Sequence, residues 1–238
     1  MRTADAGTPD DLLVWQDVRE RVDWARACPE VTGPVRAARD GIADHAAASG
    51  PARGEERAER LGAAWRQAYA DACAGRCLDF ERLAGWQRTV LGVPQAAFRT
   101  GTAFAKGGRE RYGLHGDTER RFAACLAQSR EPAVPLPARA ARLYLDVAFF
   151  HPFDDGNGRA ALLALGHLLA AEDIVLGWVA PLTVARYADD PDAAAELAHV
   201  THRLITRPPH RTTAAPGLRT QHHAEDADAA ASLYGVIA

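Results

Sequence analysis

A nine-residue stretch, His151-Pro-Phe-Asp-Asp-Gly-Asn-Gly-Arg159, joins two apolar segments and constrains the fold more than any other part of the chain. Residues 138–150 before it carry apolar side chains at helical spacing, and residues 160–171 after it indicate a second helix. Pro152 disfavours helical dihedral angles at the preceding residue, so His151 should lie at or just past the end of the first helix. The residues between the two helices are typical of a tight turn. We therefore expect a helix, a polar loop and a buried helix in succession.

The loop carries the groups needed to hold a metal-bound polyphosphate and to remove a proton beside it. A glycine-rich loop that opens a helix presents several main-chain N–H groups in one direction, and the helix dipole adds partial positive charge. Gly156 and Gly158 let the main chain approach a phosphate, which Arg159 can bind bidentately. Asp155 is a hard oxygen ligand of the kind that Mg²⁺ uses, and His151 can act as a base near pH 7. Each group alone is ordinary turn chemistry, but their combination in this order indicates a site.

The rest of the chain predicts a mostly helical protein with one hairpin. Apolar residues at helical spacing predict further helices within residues 10–26, 57–74, 78–91, 117–128 and 192–205, and a weaker pattern covers residues 35–48. In residues 98–112, Thr and Phe alternate with small residues before a Gly-Gly pair, which predicts a short hairpin or flap. We expect three regions: an N-terminal helical region packed on the core (1–56), a catalytic domain (57–206) and a mostly disordered tail (207–238).

Composition argues against several classes of partner. The net charge of −3 offers no general attraction to nucleic acid or to an anionic membrane, and no apolar run is long enough to cross a bilayer. Four cysteines in 238 residues do not form the pattern of a disulfide framework, and the N-terminus lacks the pattern of a signal peptide. We therefore expect a cytoplasmic protein that binds neither nucleic acid nor membrane.

The nine-residue stretch closely resembles the motif His-Pro-Phe-x-Asp/Glu-Gly-Asn-Gly-Arg of the Fic (Fic/Doc) domain family. The resemblance covers about residues 61–205, and Phe98-Arg-Thr-Gly resembles the start of the family's flap. It implies an all-α fold, a Fic-type helical bundle with a short β-hairpin flap over the active-site loop. It also implies a Mg²⁺-dependent nucleotidyltransferase of the AMPylation type. Such an enzyme moves a nucleoside monophosphate from ATP or another NTP to a hydroxyl, typically of a protein Ser, Thr or Tyr.

The resemblance also implies roles for individual residues. It makes His151 the general base, Asp155 the ligand of Mg²⁺ (or of Mn²⁺), and Phe153 the anchor of the loop in the core. The phosphates would be bound by Gly156, Asn157, Gly158 and Arg159. The target would pair as an added strand with a docking flap around Arg99, Thr100, Gly101 and Thr102.

The chain departs from the family pattern at Leu162, where most members carry a second arginine associated with the γ-phosphate. The family's inhibitory Ser/Thr-x-x-x-Glu-Gly/Asn segment is also missing from the sequence. The two losses are expected together, because an inhibitory glutamate without its arginine partner would be a poorly compensated charge. We therefore expect a protein that is not self-inhibited in the usual way. Its donor can be one whose outer phosphate matters less, such as another NTP or a diphosphate-linked compound, and its acceptor can be a small molecule.

Two other functions remain open on the sequence alone. One is a Doc-like phosphotransferase that passes a terminal phosphate or phospho-alcohol. The other is a non-catalytic module that binds a nucleotide or a partner. The presence of His151, Asp155 and Arg159 together argues against the non-catalytic module. Lys106, the only lysine of the chain, lies beside Gly-Gly in the flap and could contact the donor or the target, but a solvated surface residue is the favoured expectation.

Overall fold

The computed structural model describes residues 9–207, and the chain in this range is mostly helical. The helices are α1 Asp11–Arg21, α2 Gly41–Ala48, α3 Gly50–Arg53, α4 Glu55–Cys73, α5 Phe80–Leu91, α6 Thr118–Gln128, α7 Leu136–Phe150, α8 Asn157–Ala171 and α9 Pro191–Thr206. The strands are β1 Val35–Arg36, β2 Ala103–Ala105, β3 Glu110–Tyr112 and β4 Ile174–Val175, and short 3₁₀ turns lie at Lys106–Gly108 and Ala180–Thr183. The predicted all-α bundle with one short hairpin is confirmed. The predicted tail, except for Arg207, lies outside the described residues.

Helices α7 and α8 form the centre of the bundle. Nearly every side chain of both helices is buried, because α7 packs on α8 and α9 while α8 also packs on α4. At Gly166, helix α8 lies close to both α2 and α4. A Cβ there would lie 2.4 Å from the Ile42 side chain of α2 and 2.6 Å from the Trp65 side chain of α4. The two central helices are thus held from several sides. The loop between them, which carries the nine-residue stretch, has both ends fixed in the core.

The hairpin is a two-stranded antiparallel sheet whose two edges differ. Ala103 pairs with Tyr112 and Ala105 with Glu110. The outer edge of β3 is covered by the start of α1, because the Arg111 N–H donates to Asp11 Oδ2 at 2.7 Å. Strand β2 is the other edge of this two-stranded sheet in the described part of the chain. Alternation along an antiparallel strand directs the N–H and C=O groups of its central residue, Phe104, to that outer edge.

The prediction of one helix across residues 35–48 is wrong in its first half. Val35 and Arg36 form β1, which pairs in parallel with Ile174–Val175 of β4. Helix α2 begins only at Gly41, because the Asp40 side chain accepts hydrogen bonds from the N–H groups of Ile42 and Ala43 and so caps the helix. The weak helical pattern could not reveal a strand whose partner lies far along the chain.

Two further features concern the expected absence of a membrane span and of a disulfide framework. Between residues 9 and 207, no helix combines the length and the apolar character needed to span a membrane. Cys28, Cys73, Cys77 and Cys125 are free thiols.

Candidate active site

His151 follows the last residue of α7 and adopts a left-handed conformation, with φ 50° and ψ 55°. Its ring Nδ1 lies 3.2 Å from the main-chain oxygen of Ala148. Because a carbonyl oxygen can only accept, this contact requires a proton on Nδ1, and the neutral ring then keeps its lone pair on Nε2. The residue is 6 % exposed, and burial lowers the pKa of the imidazole, an effect to which the nearby cations Arg99 and Lys106 add. The ring is therefore suited to act as a neutral base.

The loop after His151 is held in shape by Asn157. The side-chain Oδ1 of Asn157 accepts from the Phe153 N–H at 2.9 Å, and its Nδ2 donates to the Phe153 oxygen at 2.7 Å. The Phe153 ring is buried and stacks on Phe80, with ring centroids 5.6 Å apart. The Asn157 amide therefore faces the protein, and what it can offer an anion is its main-chain N–H.

Gly156 is needed both for its conformation and for the space around it. Its φ of 77° is left-handed, and a Cβ would lie 2.6 Å from Gln87 Nε2 and 2.9 Å from Arg159 Nη2. Gln87 is fully buried in α5, and its Nε2 donates to the main-chain oxygen of Asp155 at 2.6 Å. Its Oε1 has no hydrogen-bond partner among residues 9–207. Gln87 could not be predicted as a site residue, because a glutamine within an amphipathic helix carries no sequence signal of such a role.

Asp155 and Arg159 form an ion pair at the amino end of α8. Asp155 Oδ2 lies 3.1 Å from Arg159 Nη2, while Asp155 Oδ1 accepts from the Gly156 N–H at 2.6 Å. The first hydrogen bond of the helix runs from the Ala160 N–H to the Gly156 oxygen at 3.0 Å. The N–H groups of Asn157 and Gly158, which begin the first helical turn, consequently have no acceptor within the helix. An anion placed there would meet these N–H groups and the helix dipole.

The Asp155 carboxylate fits a magnesium ion that arrives on phosphate. Its side chain is 50 % exposed, and each oxygen keeps lone-pair capacity beyond its present hydrogen bond. Over the described range 9–207, no group of three or more His, Cys, Asp or Glu side chains could hold a metal ion. Mg²⁺ commonly binds through one or two carboxylates together with substrate phosphates and water, so a single carboxylate suffices.

Arg99 differs from the rest of the predicted docking flap. It is 3 % exposed, and its guanidinium donates to the main-chain oxygens of Gly101, Gly113 and Phe150. Its own N–H donates to the Pro152 oxygen at 2.8 Å. Both the N–H and the side chain of Arg99 are thus engaged within the protein, so Arg99 is not available to pair with a target as the predicted docking flap requires. It ties the flap to the loop that carries the nine-residue stretch, here called the motif loop. Three other predicted flap residues are exposed before β2: Thr100, Gly101 and Thr102.

The expectation of a solvated Lys106 is also wrong. The side chain is only 10 % exposed, and its Nζ donates to Glu110 Oε2 and to the main-chain oxygen of Arg186. The ammonium lies 4.9 Å from the centroid of the Phe149 ring and 4.6 Å from that of Tyr187. Its burial is tolerated because the charge has a carboxylate, a carbonyl and two ring faces around it. Lys106 thus belongs to the wall of the site.

A small cavity opens beside His151. Its volume is about 30 Å³, enough for about one water molecule. Its walls come from the flap, from α7, from the first turn of α8 and from the segment after the second 3₁₀ turn, and they include Lys106, Tyr112, His151, Gly158 and Arg186. The cavity therefore joins the imidazole to the amino end of α8.

Comparison with known proteins identifies the centre of this architecture. Residues 78–169 match the model of the Fic/DOC family. This part of the chain is a Fic domain. The match covers α5, the flap, α6, α7 and nearly all of α8, so it includes every candidate residue of the motif loop. No curated protein matched the chain.

Several solved structures resemble the chain. One is a crystal structure of IbpAFic2 covalently tethered to Cdc42, with a TM-score of 0.54 and 14 % identity over 83 % of this chain and 72 % of that chain. At this identity, the likeness shows the fold alone. Another is a Fic domain containing signaling protein from Bacteroides thetaiotaomicron, with a TM-score of 0.44 and 16 % identity over 82 % of this chain and 76 % of that chain.

Leu162 stands where the resemblance described above implies a second arginine. Its side chain is 2 % exposed and belongs to the hydrophobic core around α8. The Fic domain therefore offers no cation from this position of α8. Arg186, from the segment that follows the second 3₁₀ turn, lines the cavity instead, and its guanidinium donates to the oxygens of Leu182 and Val184.

Proposed function

We propose that this Fic domain is a Mg²⁺-dependent nucleotidyltransferase that moves a nucleoside monophosphate from an NTP to a hydroxyl group of a protein. The observation that carries the proposal is the cavity shared by His151 and Gly158, because it joins a neutral imidazole to the amino end of α8. Fic domains generally transfer a nucleoside monophosphate to proteins, which supports the same conclusion. In this reaction the protein mainly positions groups and neutralises charge.

The proposed chemistry uses a base and an anion site. Nε2 of His151 accepts the proton of the acceptor hydroxyl while its oxygen forms a bond to the α-phosphorus. The bond between that phosphorus and the bridging oxygen of the β-phosphate breaks, and diphosphate leaves. The N–H groups of Asn157 and Gly158 receive the phosphate charge, with the Arg159 guanidinium beside them. Asp155 would hold Mg²⁺, which supplies neutralising charge when bound.

The flap supports a protein acceptor. The outer edge of β2 presents the main-chain groups of Phe104, and an extended segment of a target can add to such an edge. The Phe104 side chain is 62 % exposed at this edge, although it is large and apolar. The similar structure that is tethered to Cdc42 is itself a Fic domain joined to a protein, which agrees with this choice.

A second candidate function differs from the first in the donor or in the group that is transferred. The buried Leu162 removes the usual outer clamp from α8, so a donor can be accepted with less dependence on its γ-phosphate. A diphosphate-linked donor, or transfer of a terminal phosphate group, is compatible with this feature. The cavity beside His151 suits both reactions, and we give nucleotidyl transfer priority because Fic domains generally transfer a nucleoside monophosphate to proteins.

We expect the purified protein, incubated with Mg²⁺ and lysate proteins, to transfer label from α-³²P NTPs and not from γ-³²P NTPs. The α-phosphorus stays with the acceptor in nucleotidyl transfer, whereas the γ-phosphorus leaves with diphosphate. Autoradiography with ATP, GTP, UTP and CTP identifies the base as well. Label from the γ position alone would instead support a phosphotransferase, and absence of label from every donor would contradict both enzymatic functions with nucleoside triphosphates.

We expect Asp155→Asn to lower transfer by about 10²-fold or more, because a metal ion contributes several kcal/mol to the stabilisation of charge on a transferring phosphate. The Mg²⁺ concentration for half-maximal rate should rise as well. The fold should change little, because the Asp155 side chain is half exposed and its ion pair with Arg159 is screened by solvent on that side. Asp154→Asn is the matched control, since it removes the neighbouring exposed carboxylate. Equal rates for the two variants would exclude Asp155 as the metal ligand.

A further inference from the structure

Three flap residues form a buried cluster behind the His151 ring: Lys106, Glu110 and Tyr112, here called the flap cluster. The Tyr112 ring stacks on the imidazole, with centroids 5.2 Å apart and planes inclined by 28°. The opposite end of the tyrosine, its hydroxyl, donates to Glu110 Oε2. One face of the imidazole is thus covered by a ring whose own position is fixed by a hydrogen bond.

Glu110 connects the flap cluster to a distant segment. Its Oε2 accepts from Tyr112 and from Lys106 Nζ, while its Oε1 accepts from the Ala188 N–H at 2.8 Å. Lys106 Nζ also donates to the main-chain oxygen of Arg186. Burial and the adjacent Glu110 carboxylate raise the pKa of Tyr112, so the phenol keeps its proton and donates it. The cluster is consequently satisfied on every side, and a satisfied buried network holds its members rigidly.

The stacking determines how the imidazole is presented. The contact of Nδ1 with the Ala148 oxygen fixes one edge of the ring, but a single hydrogen bond still permits rotation about it. Tyr112 occupies the space into which the ring would swing, and it keeps water from that face. The stacked ring therefore limits the positions that Nε2 can take beside the cavity that His151 and Gly158 both line.

We propose that Tyr112 is a positioning residue for His151 and that the Lys106–Glu110 pair in turn fixes Tyr112. The proposal deepens the proposed function, since the orientation of the base matters for catalysis only if His151 is the base. A misplacement of a reacting group by about 1 Å can cost about 10²-fold in rate. The flap that offers an edge to the target is then also the element that orients the base.

The charged groups that face the imidazole come from several elements. Arg99 precedes the flap, Lys106 lies on it, Asp155 lies in the motif loop and Arg186 lines the cavity from the far side. Burial is the largest cause of the lowered pKa of His151, ahead of these charges. Removing the Tyr112 ring would let water reach the imidazole, which stabilises its protonated form and moves its pKa back towards 6.5. Because the base acts when neutral, the acid limb of the rate profile should move to higher pH.

The test compares Tyr112→Leu with Tyr112→Phe. Tyr112→Leu removes the ring and is expected to lower kcat by about 10- to 100-fold, with KM changed by less than about threefold. The acid limb of its pH–rate profile should move to higher pH. Tyr112→Phe keeps the stacking ring and is expected to stay within about threefold of the wild type in kcat, with an unshifted limb. A loss of kcat in Tyr112→Leu without a shift of the limb would assign Tyr112 a purely structural role and overturn the proposal.

A second readout does not require activity. The His151 ring can be titrated by NMR, with its signal identified by its loss in His151→Ala. Tyr112→Leu should raise the pKa of that ring and Tyr112→Phe should not. If the titration behaves so while the wild type transfers no group, the proposed function fails and the positioning role stands. An unchanged pKa in a folded Tyr112→Leu variant would overturn the positioning role.

Lys106→Met serves where Tyr112→Leu does not fold. The substitution keeps the length of the side chain and leaves the stacked rings of Tyr112 and His151 in place. It removes a positive charge near the imidazole and leaves Glu110 without its cationic partner, and both changes favour protonated His151. The pKa of His151 should therefore rise in this variant too, and a fall or no change would count against the cluster.

Discussion

Replacing His151 with alanine is expected to lower the rate of transfer by about 10²–10⁴-fold, the range that a positioned general base contributes. The structural reason is the neutral tautomer that the Ala148 oxygen selects, with Nε2 left to accept a proton in the cavity. The protein should remain folded, because most of the loop is held by Asn157 and Phe153 and not by the imidazole. Single-turnover rates and circular dichroism measure the two effects separately.

His199→Ala is the matched control for this experiment. His199 is exposed on α9, away from the walls of the cavity, so its loss should change neither the rate nor the stability. A His151→Ala variant that keeps a rate within about threefold of the wild type would show that another group accepts the proton. In His151→Ala the alanine must adopt the left-handed conformation of residue 151, and this backbone strain should lower the free energy of unfolding by only about 1 kcal/mol.

The motif loop could be predicted from the sequence because its constraints are local. Pro152 ends α7 at Phe150, and Gly156 with its left-handed φ opens α8 at Asn157, as the spacing of these residues indicates. The flap could likewise be predicted, because Thr and Phe alternate with small residues before Gly107. Gly107 lies at the turn of the hairpin with a φ of 68°. Short-range rules of this kind apply whatever the remainder of the chain does.

The surroundings of the base could not be predicted, because they depend on contacts between distant parts of the chain. Lys106 is buried by a contact with Arg186, 80 residues later, and Gln87 reaches Asp155 across 68 residues. The expectation for Lys106 used the average behaviour of lysine, which is mostly exposed. Only the fold brings the carboxylate, the carbonyl and the aromatic rings to its ammonium group.

Arg99 shows why a motif match does not settle the role of each side chain. It lies in the segment that resembles the start of the flap, and the neighbouring Thr100 and Thr102 are exposed as a docking segment requires. Its guanidinium nevertheless turns inwards and donates to two main-chain oxygens. One belongs to Phe150, the last residue of α7, and the other belongs to Gly113, which directly follows β3. The motif predicts where the main chain runs, whereas the direction of the side chain depends on which buried carbonyls need a donor.

Phe153→Ala is expected to reduce the free energy of unfolding by about 3–5 kcal/mol, the usual cost of removing a buried aromatic side chain. The ring is buried, and it stacks on Phe80, which also contacts Phe98 and Phe122. The deletion would leave a cavity beneath the loop that carries Asp155. Urea denaturation measures the loss, and Phe153→Leu should cost much less because leucine fills most of the space.

Phe104→Ala separates the stability of the loop from docking on the flap. Its ring is exposed on the outer edge of β2, so its removal should change the free energy of unfolding by less than about 0.5 kcal/mol. If the edge binds the target, KM for a protein acceptor should rise while KM for the nucleotide stays constant. The two phenylalanines then report different functions: Phe153 holds the loop that binds the donor, and Phe104 meets the acceptor. A Phe104→Ala variant that unfolds as readily as Phe153→Ala, or that leaves KM for the acceptor unchanged, would contradict this division.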